Sequence, residues 1–283
     1  MAEADDFIAI FQAADKANLA DAFRKGNQVV LPDTGRLVAT GDLHGHRRNF
    51  DKIVRCAALD AAPTNHVILH EMIHGGPLDP KGGDLSFEMI HGACKLKVKF
   101  PNQVHFLLGN HDLAQMGGLE ICRQGTSCLS AFAAGLKNRF GPRAGDVTKA
   151  IYAFFKSQPI ACRAGAIFFS HSTPARRFFL DFDPTILDRP ITDADTERPG
   201  SVYSLVWGRA FDQPTADNFA RRMNCEVMII GHEPQPEGWK APTTRHIILA
   251  SDHNHGVCLP MQLGKRYTHT ELTKLIKPLA GLP

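Results

Sequence analysis

Five polar clusters punctuate the chain, each directly after an apolar run: Asp42 with His44, then Glu71, Asn110 with His111, His171, and His232. Together they offer carboxylate, imidazole and amide donors and no thiolate. That mixture suits Mn, Fe or Zn and is unlike a structural zinc site. In Gly41-Asp42-Leu43-His44-Gly45, residues two positions apart on an extended segment point to the same side, so Asp42 and His44 can grip one ion together. Glycines beside most clusters let the backbone turn sharply and bring side chain and substrate close.

Such chemistry needs elements that gather the clusters. In an open α/β sheet the carboxyl ends of the strands line one rim, where ligands bind. The apolar pattern supplies strands of that kind. Residues 28–31 and 36–40 read as two short strands around Pro32-Asp33-Thr34-Gly35, and the second runs straight into Asp42. Phe50, Ile53, Val54 and Ala57 stand at helical spacing within residues 47–59, and 66–69 is strand-like, completing a β-α-β unit that delivers Glu71. A helix over 86–98 and a strand over 103–108 lead to Gly109-Asn110-His111-Asp112. Residues 119–155 read as mostly helical. A hairpin over Ala164-Gly165 ends at His171, and a strand over 226–230 ends at Gly231-His232. Residues 7–23 form an amphipathic helix, 181–200 a long surface loop able to border a site, 245–250 and 257–261 two late strands, and 270–279 a last helix.

The 283 residues are 43% hydrophobic, enough to bury a large core, and the expected organisation is one domain over residues 1–283. A net charge of +3 without basic runs excludes nucleic acid as an expected partner. No apolar run approaches a membrane span, and the start Met-Ala-Glu-Ala-Asp-Asp is acidic where a signal peptide is basic. The expectation is a cytoplasmic protein with no membrane partner. Seven scattered cysteines with no C-x-x-C pair argue against a disulfide framework. Nothing in the sequence fixes the oligomeric state.

Asp42 with His44, Asn110 with His111, Ser170-His171 and Gly231-His232 together resemble the ordered motif series of the calcineurin-like metallophosphoesterases, and particularly the phosphoprotein phosphatase branch. The resemblance implies a two-sheet β sandwich flanked by helices. It implies two divalent metal ions, with Asp42 and His44 on the first and Asn110, His171 and His232 on the second. His111 becomes the proton donor to the departing alkoxide. The implied reaction is hydrolysis of a phosphomonoester by metal-activated water, the substrate being a phosphoprotein, a nucleotide or a small phosphoester. No Cys or Ser lies in a nucleophile motif, so no phosphoenzyme is expected.

The series departs from the family at its second motif, where Gly-Asp-x-x-Asp-Arg-Gly is replaced by His70-Glu71-Met72-Ile73-His74-Gly75-Gly76. Glu71 then stands for the bridging Asp, and His74 for the Asp that orients the catalytic imidazole. The phosphate-gripping Arg is absent, and Arg209, Arg176 and Arg177 are the candidate replacements. A second reading follows from the same departure: a metal-binding relative with weakened catalysis, acting as a binding module. A third treats the segment as H-E-x-x-H, the zinc-protease signature, which requires a helix to put His70 and His74 on one face. The remaining polar residues receive structural readings. Asp112 makes a hydrogen bond near its turn, Asp252, His253 and His255 form a solvated loop, Arg47 to Asp51 a solvated helix face, and Trp207 packs in the core.

Overall fold

The computed structural model describes residues 2–282 other than Gln124 and Ala210. Two sheets face each other. One runs β1 (Arg24–Lys25), β2 (Gln28–Val30), β8 (Ala161–Ala164), β9 (Ile167–Ser170), β10 (Val227–Ile230), β12 (His246–Leu249) and β11 (Trp239–Lys240). The other runs β14 (Lys277–Pro278), β13 (Val257–Gln262), β3 (Arg36–Asp42), β4 (Asn65–His70) and β5 (Val104–Leu107).

Side-chain alternation along these strands divides the apolar residues between three cores. Leu37, Ala39, Ile68, Leu107, Phe169, Ile229 and Ile247 meet between the sheets. Their neighbours Val38, Val67, Leu69 and Phe106 point the other way, onto helices. Both faces are covered, which is why the central strands read as unbroken apolar runs rather than alternating ones. The helices on that outer face are α1 (Ala2–Leu19), α2 (Arg47–Ala57), α3 (Ser86–Lys99), α5 (Cys128–Phe140) and α6 (Ala144–Ser157). Phe7, Phe11 and Ala14 of α1 recur at helical spacing and are buried in this layer. Phe154 of α6 lies fully buried with its ring edge-on to Phe106, at 5.0 Å between centroids. Truncation of such a ring costs about 3–5 kcal/mol. On the far face of the larger sheet, Phe168 and Met228 pack on α8 (Ser201–Trp207) and α9 (Gln213–Arg222) through Val202 and Phe219.

Several elements differ from the sequence reading. The first helix ends at Leu19, where Asp21 turns the chain by accepting from the Phe23 N–H. The strands around Pro32-Asp33-Thr34-Gly35 do not pair with each other: β2 joins β8 in one sheet, and β3 joins β4 and β13 in the other, so the turn is a crossover between layers. A two-stranded hairpin, β6 (Cys122–Arg123) and β7 (Thr126–Ser127), precedes α5 within the stretch read as helical. Segment 181–200 contains short helical turns, including α7 (Asp193–Thr196), and buries Phe182, Ile186 and Leu187. With α4 (Asn110–Gly117) and Lys156 it lines a cavity of about 450 Å³ that no residue of the histidine clusters borders. The last helix, α10 (His269–Leu275), is shorter than expected because Lys277 and Pro278 pair with β13 as β14. Among the described residues no helix is long and apolar enough to cross a membrane.

Candidate metal and catalytic site

The strands β3, β4, β5, β9 and β10 release their polar clusters at one rim. Parallel pairing of β3 with β4 and of β4 with β5 brings Asp42, Glu71 and Asn110 together, and parallel pairing of β9 with β10 does the same for His171 and His232. A bridge from Asp42 to Ala250 of the opposite layer joins the two groups. The geometry is held by strained backbone. Among the described residues six non-glycines have positive φ, and four of them are His44, Glu71, His74 and His232. Left-handed conformations at bulky residues are costly and concentrate at functional sites. Two glycines permit close approaches by the acidic side chains. A methyl group at Gly109 would collide with the Glu71 carboxylate, and one at Gly231 with Asp42 Oδ1.

The donor atoms converge. His171 Nε2 lies 2.7 Å from Asn110 Oδ1 and 2.9 Å from Glu71 Oε2, and His232 Nδ1 lies 2.8 Å from the same Asn110 oxygen. His44 Nε2 is 3.8 Å from Asp42 Oδ2, while its Nδ1 is 2.9 Å from the Ile73 carbonyl. With Nδ1–H donating to that carbonyl, Nε2 keeps its lone pair on the Asp42 side, the arrangement that orients a metal-binding imidazole. Among the described residues three triads have ligand atoms within 4.8 Å of one another: Asp42 with His70 and His171, His44 with Glu71 and His111, and His74 with His111 and Cys128.

Burial makes this collection costly without a cation. It pushes the Asp42 carboxyl up to about 7, with the nearby Glu71 charge adding to the rise and His171 opposing it. Burial also lowers His171 and His232, and holds His70 down at about 3, so the imidazoles are neutral lone-pair donors. Buried carboxylates among neutral imidazoles are the donor set a divalent ion satisfies. The residues present therefore fit a metal centre.

A second network lies beside the first. The α4 helix starts at Asn110, where Asp112 accepts from the Gly109 N–H as its capping carboxylate. The His111 N–H in its first turn donates to Glu71 Oε1 at 2.8 Å. His111 Nδ1 is 2.8 Å from His74 Nδ1, His74 Nε2 is 2.9 Å from Gln115 Oε1, and Gln115 Nε2 donates to the Tyr152 hydroxyl. The structural reading of Asp112 holds, and burial, followed by the Glu71 charge, raises its carboxyl well above the usual range.

Of the three candidate arginines, among the described residues only Arg209 touches the cluster, donating from Nε to His232 Nε2 at 3.0 Å. Ser172 positions it by bonding the Gly208 carbonyl at 2.6 Å. Arg176 instead borders a separate surface cavity with Phe179 and Asp212, and Arg177 lies over the Phe178 ring. Both follow Pro174 into an exposed turn that carries them away from the rim. Trp207 is not a core residue: it is half-buried, and its ring stands 6.1 Å from that of His232. The protease reading fails because His70 ends a strand and residues 71–75 form no helix, so His70 and His74 share no helical face. Sequence reasoning missed Gln115, and it offered His70 only within the protease reading. The signal for Gln115 was its position four residues after His111 on one helix face. For His70 it was a buried strand-end imidazole next to a proposed ligand.

This arrangement of two facing sheets with a carboxylate and imidazole site at the strand ends defines a metal-dependent phosphoesterase. The sequence pattern of the calcineurin-like phosphoesterases matches residues 35–236, and the chain belongs to that family. It is a phosphoric monoester hydrolase, of a family that uses a dinuclear metal centre. The fold is similar to that of a protein serine/threonine phosphatase from Saccharomyces cerevisiae with similarity to human phosphatase PP5, at TM-score 0.69 and 16% identity over 98% of this chain and 93% of that one. A cold-active protein-tyrosine phosphatase of a psychrophilic Shewanella species superposes at TM-score 0.56 and 16% identity, over 86% and 83% of the two chains. No curated protein matches the sequence.

Proposed function

We propose that the chain hydrolyses the phosphomonoester of a phosphorylated protein, with Asp42 and His44 holding one divalent ion, Asn110, His171 and His232 holding a second, and Glu71 between them. The observation that carries this reading is the position of Glu71 between the two ligand sets: its Oε2 is 2.9 Å from His171, and one of its carboxylate oxygens lies within 4.8 Å of a ring nitrogen of His44. The ions, when bound, neutralise phosphate charge and supply a water acidic enough to serve as nucleophile. Mn, Fe or Zn suits these donors.

The protein's own groups complete the reaction. Arg209 grips a phosphoryl oxygen, supplying the cation that Gly75 cannot. His111, protonated, holds its Nδ1–H toward His74 and gives its Nε2 proton to the leaving oxygen as the P–O bond breaks, releasing alcohol and phosphate. His74 is a positioning residue: Gln115 fixes its tautomer, and its Nδ1 lone pair fixes the ring of His111. A protein substrate is favoured because the yeast and Shewanella neighbours are protein phosphatases. The test is elemental analysis of purified protein combined with turnover of an aryl phosphate and of phosphoserine and phosphotyrosine peptides under Mn, Fe and Zn loading. Two ions per chain with metal-dependent turnover are expected. Full metal content with silence on every substrate overturns catalysis in favour of a binding role.

A further inference from the structure

His70 is the residue the site does not explain. Its side chain is fully buried, and neither ring nitrogen has a hydrogen-bond partner among the described residues. An unsatisfied buried polar atom is destabilising, so native proteins seldom keep one without a use. A leucine would fill the same strand-end position at no such cost. The main chain does not require an imidazole there, since its contact is a bond from the His70 N–H to Thr40 Oγ1 at 3.2 Å.

The direction of the ring supplies the use. A methyl group built on Gly231 would meet both Asp42 Oδ1 and His70 Nδ1, so these two atoms open onto one small space. Ligand atoms of Asp42, His70 and His171 lie within 4.8 Å of one another, and all three residues are buried. Donors in a tetrahedral site stand about 3.4 Å apart, so filling the site asks these atoms to close by no more than about 1.5 Å. The motif series that identifies the other ligands has glycine where this chain has His70, and it gives no reason for an imidazole.

We infer that His70 is an additional ligand of the metal centre, set beside Asp42 of the first ion and His171 of the second. This rests on the two-ion reading of the site. The centre then carries His44, His70, His171 and His232, an imidazole-rich set that shifts preference toward Zn or Fe and away from Mg and Mn. The extra donor also gives a role to the departure at the second motif: the strand end that lost the usual glycine gained a ligand.

The experiment compares the wild type with His70→Leu, each purified metal-free and titrated with Zn and with Mn against a chelator, with thermal unfolding of the metal-free proteins. The expected result is a loss of at least about tenfold in Zn affinity for one of the two ions, with a smaller change for Mn. Metal-free His70→Leu is expected to unfold at the same or a higher temperature, because two unsatisfied nitrogens leave the interior. A purely structural histidine predicts the reverse: a lower unfolding temperature with unchanged metal affinity, and that result overturns the proposal. X-ray absorption on the zinc-loaded wild type gives a readout that does not depend on the variant folding. An imidazole count that needs only His44, His171 and His232 likewise overturns it while leaving the two-ion reading intact. Wild-type protein that binds no ion at all overturns both.

Discussion

The Nδ1 atoms of His74 and His111 stand 2.8 Å apart. Two imidazole nitrogens at that distance share one proton, so one ring donates and the other accepts. The Gln115 carbonyl oxygen, 2.9 Å from His74 Nε2, draws the His74 hydrogen to that side. This leaves His74 Nδ1 as acceptor and His111 Nδ1–H as donor. A histidine thus does the orienting work a carboxylate does elsewhere, without a negative charge to stabilise the imidazolium.

His111→Ala is expected to lower kcat by about 10²- to 10⁴-fold, the usual worth of a general acid. Metal content measured by elemental analysis should be unchanged, because the proposed ligands are untouched. His74→Asp restores a charge beside the ring, and its left-handed backbone (φ 63°) is one that Asp tolerates. An adjacent carboxylate raises an imidazole pKa. The alkaline limb of the kcat profile should therefore move to higher pH in that variant, and a profile that does not move removes His74 from the relay.

Arg209→Ala is expected to reduce kcat/KM for an aryl phosphate by about 10- to 100-fold, the loss of one or two charge-assisted hydrogen bonds. Arg176→Ala and Arg177→Ala should leave it unchanged, since neither side chain reaches the rim. Steady-state kinetics on the three variants separates them.

Metal removal should load a proton onto Asp42. Burial raises its carboxyl to about 7 in the metal-free protein, and an ion needs the ionised form. Metal affinity should therefore climb as pH rises toward 7 and flatten above it. Calorimetry of metal binding near pH 6.5 in buffers of different ionisation heat should report proton release, and buffer-independent heats would contradict the burial of Asp42.

His246 sets a second pH dependence away from the ion site. It is buried between the Thr173 and Thr243 hydroxyls, and burial lowers it to about 4, with His269 adding a smaller push. Its folded pKa lies below the unfolded value near 6.5, so the unfolded chain binds the extra proton between those limits. Stability from this group is intact above about 6.5 and falls by about 1.4 kcal/mol per pH unit down to about 4. Thermal unfolding of metal-free protein from pH 7 to 5 should be one proton less steep in His246→Gln than in the wild type.

The proposed ligands were legible in the sequence because each sits directly after an apolar run, and chain order survives folding. Strand ends and side-chain alternation are local properties, so Asp42, His44, Glu71, Asn110, His171 and His232 could be named from the pattern. The Asp112 cap was legible for the same reason. The partition of Leu37 from Val38 between two cores was not, because a strand buried on both faces shows no alternation of polarity to read. The crossover at Pro32 to Gly35 was hidden as well, since a turn sequence does not reveal whether its strands pair with each other.

The sequence by itself determined the family, the donor types and the rim on which they gather, all of them consequences of residue order and short-range geometry. Tertiary structure decided which groups meet across long separations. Arg209 reaches His232 and its rivals Arg176 and Arg177 do not, His74 finds Gln115 rather than a carboxylate, and His70 is left buried beside Asp42 with no hydrogen-bond partner for its ring among the described residues. Those outcomes depend on the packing of two sheets and their loops against one another, where a residue's role is set by neighbours that its own stretch of chain does not name.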